Sequence, residues 1–339
     1  AAILALAAEG LTAESLAALG ALAGAEAAMT VTARRAAVLN LGAADGKIVT
    51  LLTTPPLNAD TVLRLADPLA DFDPASIQMT SRGAATYDCE SAAVALTKLA
   101  RLLPAAVTAP MRAPDAEDLA LWARRHDILM VDAGDIFQYE RTQSRSLRIV
   151  ADARVPLDGA ENTRIYALRP DDGGIEHLAI VIGEPDPAEP VLTRIHSECF
   201  TGDLLGSLRC DCGDQLRGAI AEISAAGAGM LLYLAQEGRG IGLVNKLRAY
   251  TLQDDGFDTI DANEQLGFDA DERVFLPAAR ILQLLGFDRV RLLTNNPLKV
   301  DGLTACGVTV TERVPHAFPS NKHNETYLAT KAGRGGHLF

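Results

Sequence analysis

The sequence predicts an α/β (α+β) fold in two domains, residues 1–145 and 146–339, the second built on a mixed sheet with flanking helices. Three observations carry this. The chain has 339 residues, enough for about two domains with ample core. Short apolar runs alternate with amphipathic stretches of helical period, the α/β signature. Near residue 146 the pattern turns from helix-rich to β-rich. With 48% hydrophobic residues the chain is globular, and its formal charge of −13 disfavours non-specific nucleic-acid binding. An acidic protein can still hold a polyanion if positive charge is gathered locally.

Residues 1 to about 40 read as two Ala/Leu helices broken at Gly10 and Gly20, with Thr12-x-x-Ser15 as a capping-box pattern. A secretory signal is not expected, because no basic segment leads and Glu9 and Glu14 interrupt the apolar run. No uncharged run approaches the ~20 residues a membrane span needs. KIVTLL at 47–52 is a strand closed by Pro55-Pro56, Cys89 to Leu103 a helix, and AAVTAP at 105–110 a strand. Asp115 to Arg125 is a helix and DILMVDAGDI at 127–136 a strand, with Asp132 and Asp135 at its polar end.

Beyond residue 146, RIYAL, HLAIVIG and VLTRIHSE read as strands, with a proline-rich turn at 184–190. Gln215 to Ala226 is a helix with Leu216, Ile220 and Ile223 on one face. GMLLYLAQ at 229–236 is a buried strand, Leu243 to Leu252 a helix, and Asp269 to Leu285 a longer helix ending at Gly286. Asp269 and Glu272 would cap it, setting Asp271 and Arg273 in its first turn. RVRLLT at 289–294 is a strand, Pro297 opens a helix, and VTVTERV is the last strand.

Three of the five cysteines, Cys199, Cys210 and Cys212, fall within fourteen residues as C-x10-C-x-C. Three thiolates would hold zinc and leave its fourth tetrahedral position open, as a catalytic site requires; the alternative is three cysteines that only pack. Interleaved Arg194, His196, Glu198, Arg209 and Gln215 suit an anionic substrate beside the metal. Cys89 and Cys306 read as structural. An odd thiol count with a ligand-like cluster points to a reducing, cytoplasmic compartment.

RIHSECFTGDLLGSLRCDCGDQL, QEGRGIGL, DADERVF, LLTNNPLKV and YLATKAGRGGHL, in this order, resemble the GTP cyclohydrolase II family over about Leu147 to the C-terminus. The resemblance implies zinc-dependent opening of the guanine ring of GTP. The products would be 2,5-diamino-6-(5-phosphoribosylamino)pyrimidin-4-one, formate and pyrophosphate, in the first step of riboflavin biosynthesis. It implies one zinc per subunit on the three cysteines, magnesium with the triphosphate, and a homodimer. It assigns Asp271 as proton acceptor, Arg273 to the α-phosphate and Tyr250 to the reaction centre. Arg194, Ile195, His196, Ser197, Glu198, Gln215, Glu237, Gly238, Arg239, Thr259, Thr294 and Lys299 would contact the nucleotide. Ala235 stands where the family often has arginine, a departure that bears on one auxiliary charge contact and not on the reaction.

Each of these has a plainer alternative. Asp271 can serve a helix dipole, Tyr250 a core, the glycines a strand-to-helix turn and Thr294 a cap. His196, His316, His323 and His337 show no spacing that adds a fourth ligand. A zinc nucleobase deaminase would need H-x-E…P-C-x-x-C, and the pair here is C-x-C. Two other outcomes stay open: a GTP-binding paralogue without turnover, and an enzyme that stops at a formylated pyrimidine. The amino-terminal half faintly resembles the end of 3,4-dihydroxy-2-butanone 4-phosphate synthase, in ESAAVALTKLARLLPAAVTAPM and HDILMVDAGDIFQYERTQ. The acidic metal-binding and histidine-bearing segments of that family are not recognisable, and TSRGAATYDC precedes Glu90. A degenerate, non-catalytic domain is therefore expected.

Overall fold

The computed structural model describes residues 2–41, 47–111, 118–334, 336 and 338. In chain order the first elements are β1 (Ile3–Ala7), α1 (Ala13–Ala23), β2 (Ala28–Thr32), α2 (Ala33–Val38), β3 (Ile48–Thr54) and α3 (Ala59–Ala66). There follow β4 (Gln78–Ala84), α4 (Cys89–Leu99), β5 (Ala105–Pro110), α5 (Leu119–Arg125) and α6 (Ala133–Ser146). The five strands form one antiparallel sheet in the order β1-β5-β2-β3-β4.

The second half holds β6 (Arg148–Arg154), β7 (Thr163–Arg169), β8 (His177–Ile182), β9 (Val191–Ser197), α7 (Cys212–Ala225) and β10 (Gly229–Leu234). After these come α8 (Leu243–Asp254), α9 (Thr259–Gln265), α10 (Leu276–Leu284), β11 (Arg289–Leu293), α11 (Pro297–Ala305), β12 (Thr309–Val314) and α12 (Glu325–Gly333). Its seven-stranded sheet runs β12-β11-β9-β10-β8-β7-β6, parallel from β12 to β10 and antiparallel from there. The fold is mixed α/β with two sheets. Alternate residues of β9 face opposite sides: Ile195 packs with Leu232, Ala278 and Ile281 of α10, while Leu192 packs with Ala219 and Ile223 of α7. The sheet is thus covered on both faces, as parallel strands require.

Two compact units emerge, Ala1–Tyr139 with Val244–Asp271, and Glu140–Leu243 with Glu272–Phe339. The expected division made one cut near residue 146; the chain instead sends α8 and α9 back to the amino-terminal unit. Arg248 of α8 pairs with Glu9 at 3.0 Å, and Asn245 donates to the Arg101 carbonyl at 3.0 Å. Among the described residues no helix is long and apolar enough to cross a membrane.

Several elements differ from expectation. Residues 3–7 form a strand, not a helix, because β5 offers an open edge that pairs Leu4 with Ala109 and Leu6 with Val107. The helix preference of Ala and Leu is worth only tenths of a kcal/mol per residue, and satisfied backbone pairing outweighs it. Gly20 lies inside α1, whose Thr12–Ser15 capping box forms and which ends at Gly24. Residues 127–132 pair with no strand among the described residues, and Leu129 is fully exposed; Asp132 accepts from the Gly134 amide at 2.7 Å where α6 begins. Asp115 falls outside the described residues, and α5 starts at Leu119 with Asp118 as its cap. Asp269 to Phe275 is not helical: α10 begins at Leu276, with Pro277 in its first turn. Asp271 and Arg273 therefore lie in a non-helical segment that leads into the helix, and Asp269 pairs with Arg34 at 3.2 Å instead of capping.

Candidate active site

Cys199 follows the end of β9, and Cys212 is the first residue of α7. Between them residues Phe200–Leu204 make one wide helical turn that folds the chain back on itself. The three sulfurs lie within 4.8 Å of one another, Cys199 and Cys210 at 3.7 Å. Sulfurs bound at 2.3 Å to a tetrahedral zinc would be about 3.8 Å apart, so the set fits that ion. Among the described residues no fourth His, Cys, Asp or Glu ligand atom joins them.

Packing explains the glycines beside the cluster. A Cβ at Gly202 would sit 2.8 Å from the Cys210 sulfur and 3.0 Å from that of Cys199. One at Gly213 would meet the Gly202 carbonyl at 2.3 Å. Hydrogen bonding to Cys199 pushes the Cys210 thiol up to about 11, and the same crowding with burial raises Cys212 well above the ordinary range. Thiols packed this way resist ionising together, and a divalent cation is what would make their thiolate forms compatible.

Asp203 fixes the turn. Its carboxylate accepts from the Cys199 amide at 2.9 Å, from the Tyr233 hydroxyl at 2.9 Å, and from His196 Nε2 at 3.0 Å. His196 stacks on Tyr233 with ring centroids 5.6 Å apart. Burial holds His196 below its ordinary pKa of 6.5, Asp203 opposing the shift and the Arg194 and Lys299 charges adding to it. Burial, then Asp203, raises the Tyr233 phenol far above its usual range.

Positive charge gathers around the end of β9. Arg194 is buried; it donates to the Leu293 carbonyl at 2.9 Å and to Gln215 Oε1, while its Nε has no protein partner. Desolvation lowers its pKa to about 10, Asp211 and Cys212 resisting, and the Arg273 charge reaches it. Lys299, in the first turn of α11, donates to the Ile195 carbonyl at 2.8 Å. Ile195 presents its side chain to the core, leaving backbone for any ligand. Thr294 accepts from the Asn296 amide at 3.0 Å. Against a net charge of −13 this is the local concentration that an anionic ligand needs.

The turn after β10 links the cysteines to the Arg273 segment. Buried Glu237 accepts from the Phe200 amide at 2.6 Å. Gly238 and Arg239 both take left-handed backbone, φ 63° and 62°, which for Arg239 is strained. That conformation aims the Arg239 carbonyl at the Glu272 amide, 3.1 Å away, and Gln236 Nε2 holds the Val274 carbonyl at 2.8 Å. A Cβ at Gly240 would lie 3.0 Å from the Glu272 backbone, so the two segments touch.

The carboxy-terminal unit thus holds the three cysteines with Arg194, Ile195, His196, Ser197, Glu198, Gln215, Glu237, Gly238, Arg239, Arg273, Thr294 and Lys299. Tyr250, Thr259 and Asp271 belong to the other unit. Tyr250 has the Lys246 ammonium 5.7 Å from its ring centroid, and Thr259 is the first residue of α9 after its Asp258 cap. Sequence reasoning missed Asp203, Asp211 and Gln236, and gave no role to buried His316, which lies between Glu222 at 3.1 Å and the Gln215 carbonyl at 2.9 Å. None carries a spacing signal: each acts through its neighbour, and only the fold reveals the neighbour. His337 lies outside the described residues.

The sequence model of the family described as GTP cyclohydrolase II matches residues 148–315. The chain is 59% identical over 321 residues to GTP cyclohydrolase-2 of Azospirillum brasilense, covering 94% of this chain and 83% of that protein. It is 47% identical over 254 residues to riboflavin biosynthesis protein RibBA of Bacillus mycoides, covering 73% of this chain and 64% of that one. Among solved structures, RibBX, a two-domain 3,4-dihydroxy-2-butanone 4-phosphate synthase from A. baumannii, is similar at a TM-score of 0.36 and 19% identity, over 93% and 92% of the two chains. With most of its length shared at such identity, the chain belongs to the GTP cyclohydrolase II family of riboflavin-biosynthetic hydrolases.

Proposed function

We propose that this chain hydrolyses GTP to 2,5-diamino-6-(5-phosphoribosylamino)pyrimidin-4-one, formate and pyrophosphate, with zinc held by Cys199, Cys210 and Cys212. The observation that carries the reading is the convergence of three sulfurs within 4.8 Å beside a buried cluster of arginine, histidine and lysine. Bound zinc would supply the Lewis acidity that makes water nucleophilic at neutral pH. The chain's own groups do the rest. Arg194, Arg239 and Lys299 bind and orient the nucleotide, joined by backbone at Ile195 and Gly238. Gln215 holds the Arg194 guanidinium in place, and Glu237 anchors the turn that carries Arg239.

Arg273 stabilises charge at the α-phosphate, the role that fits a guanidinium that stays protonated. By the family resemblance Asp271 accepts the proton, Tyr250 acts at the reaction centre and Thr259 contacts the nucleotide. Magnesium accompanies the triphosphate and neutralises the leaving pyrophosphate. The enzyme works as a homodimer, and the lack of a disulfide among the described residues suits a reducing cytoplasm. The amino-terminal unit serves as a scaffold without synthase activity.

Incubation with GTP and magnesium, with and without a zinc chelator, tests this by quantifying formate and pyrophosphate together. Equal release of both, abolished by the chelator and restored by zinc, is expected. Pyrophosphate without formate would identify the enzyme that stops at a formylated pyrimidine, and neither product would leave a GTP-binding paralogue.

A further inference from the structure

Three donors converge on one buried carboxylate, and this arrangement has a consequence for His196. Asp203, 7% exposed at its side chain, lies 3.0 and 3.1 Å from His196 Nε2 through its two oxygens. The Tyr233 hydroxyl and the Cys199 amide each reach the same oxygen at 2.9 Å. The Cys199 amide can only donate, so the carboxylate is set as an acceptor there, and with both of its oxygens facing Nε2 the arrangement casts Nε2 as a further donor. Burial favours the neutral ring, with Asp203 opposing it. The proton being on Nε2, Nδ1 carries a lone pair, and Nδ1 is buried with no partner among the described residues. A buried acceptor left unsatisfied is costly and calls for a donor that arrives with a ligand. His196 sits on β9 two residues from Arg194, whose buried Nε is likewise unpartnered.

We propose that Asp203 is a positioning residue that locks His196 as the Nε2–H tautomer, so that Nδ1 accepts a hydrogen bond from an N–H or O–H donor of the bound nucleotide. The same carboxylate fixes the backbone of Cys199, so one side chain sets both the metal ligand and the acceptor beside it. The nucleotide part of this inference rests on the proposed GTP site; the tautomer does not.

The first test is carried out on the zinc-loaded chain without nucleotide. In protein labelled with 15N-histidine, the two nitrogens of His196, assigned from the signals lost in His196→Gln, should give one protonated and one unprotonated resonance, the proton on Nε2. A proton on Nδ1, or on both nitrogens, would overturn the proposal whether or not the chain turns over GTP. In Asp203→Asn the amide NH2 faces Nε2, so the proton should move to Nδ1. The dissociation constant of a non-hydrolysable GTP analogue should then rise about tenfold, with zinc still near one per chain. Unchanged affinity with the tautomer reversed would overturn the nucleotide contact. If Asp203→Asn fails to fold, saturating the wild-type chain with the analogue decides: the Nδ1 resonance must shift towards that of a hydrogen-bonded acceptor, and an unmoved signal refutes the contact.

Discussion

At the residue scale, the site is built from side chains that hold one another by hydrogen bonds while Arg194 Nε and His196 Nδ1 stay unspent. Arg194, Gln215 and Asp211 form a chain that starts at a β9 side chain and ends one residue before Cys212. Replacing Cys199 or Cys210 with serine removes a soft ligand, so zinc content measured by elemental analysis should fall from one per chain to below a tenth. Formate release should fall with it. The pH dependence has a definite sign. His196 is held below 6.5, so the unfolded chain takes up its proton first. Its contribution to stability is full above pH 6.5 and is lost as pH falls through that value towards the folded pKa. Thermal melts from pH 8 to 5.5 should show a drop that is shallower in His196→Gln. An equal slope in both proteins would mean that the histidine is not the group responsible.

The cysteine spacing, the basic residues around it and the glycine-rich turn were legible in the sequence because metal ligands and tight turns impose local spacing. Asp203 was not legible: C-x3-D is an ordinary turn until the fold sets Tyr233 and His196 against it. The positive φ at Arg239 was equally invisible, since nothing in E-G-R-G marks which residue bears the strain.

At the scale of elements, the turn from Phe200 to Leu204 and the start of α7 interlock through glycine. Gly213→Ala would drive a methyl into the Gly202 carbonyl at 2.3 Å, a backbone clash that should cost about 1–3 kcal/mol and be visible as a lower melting temperature. Gly202→Ala meets the sulfurs instead, and is expected to weaken zinc retention more than stability. Competition with a chromogenic chelator, read beside the melt, separates the two effects. Buried apolar runs such as GMLLYLAQ and RVRLLT announced β10 and β11, whose partners lie on both sides. An equally apolar run, DILMV, was misleading. It finds no strand to pair with, so hydrophobicity alone could not tell it from a core strand. The start of α10 was misplaced for a related reason: Asp269 has a capping residue's chemistry, but Arg34 claims it.

At the scale of the whole molecule, the decisive feature is that Val244–Asp271 leaves one compact unit, packs with the other, and returns. Thr32 donates to the Gly267 carbonyl and Arg35 to that of Gln265, in addition to the pairing of Arg248 with Glu9. A chain shortened to residues 146–339 would lose these anchors. Limited proteolysis should then cut within 244–271 at least tenfold faster than in the full chain, and formate release should fall with it. Equal resistance would show that α8 and α9 need no help from the amino-terminal sheet. The change of composition near residue 146 showed where the first excursion ends, but the second has no compositional mark. It consists of helices like any others, and only their partners assign them.

The discontinuity also bears on synthesis. A ribosome delivers the amino-terminal sheet early, yet its last two helices are complete only after residue 271 has been translated. The usual order, in which the first domain is finished before the next begins, is closed to this protein. Both halves must mature together, with the cysteine cluster already outside the exit tunnel and its thiols exposed to the cell's metal pool before the first half is complete.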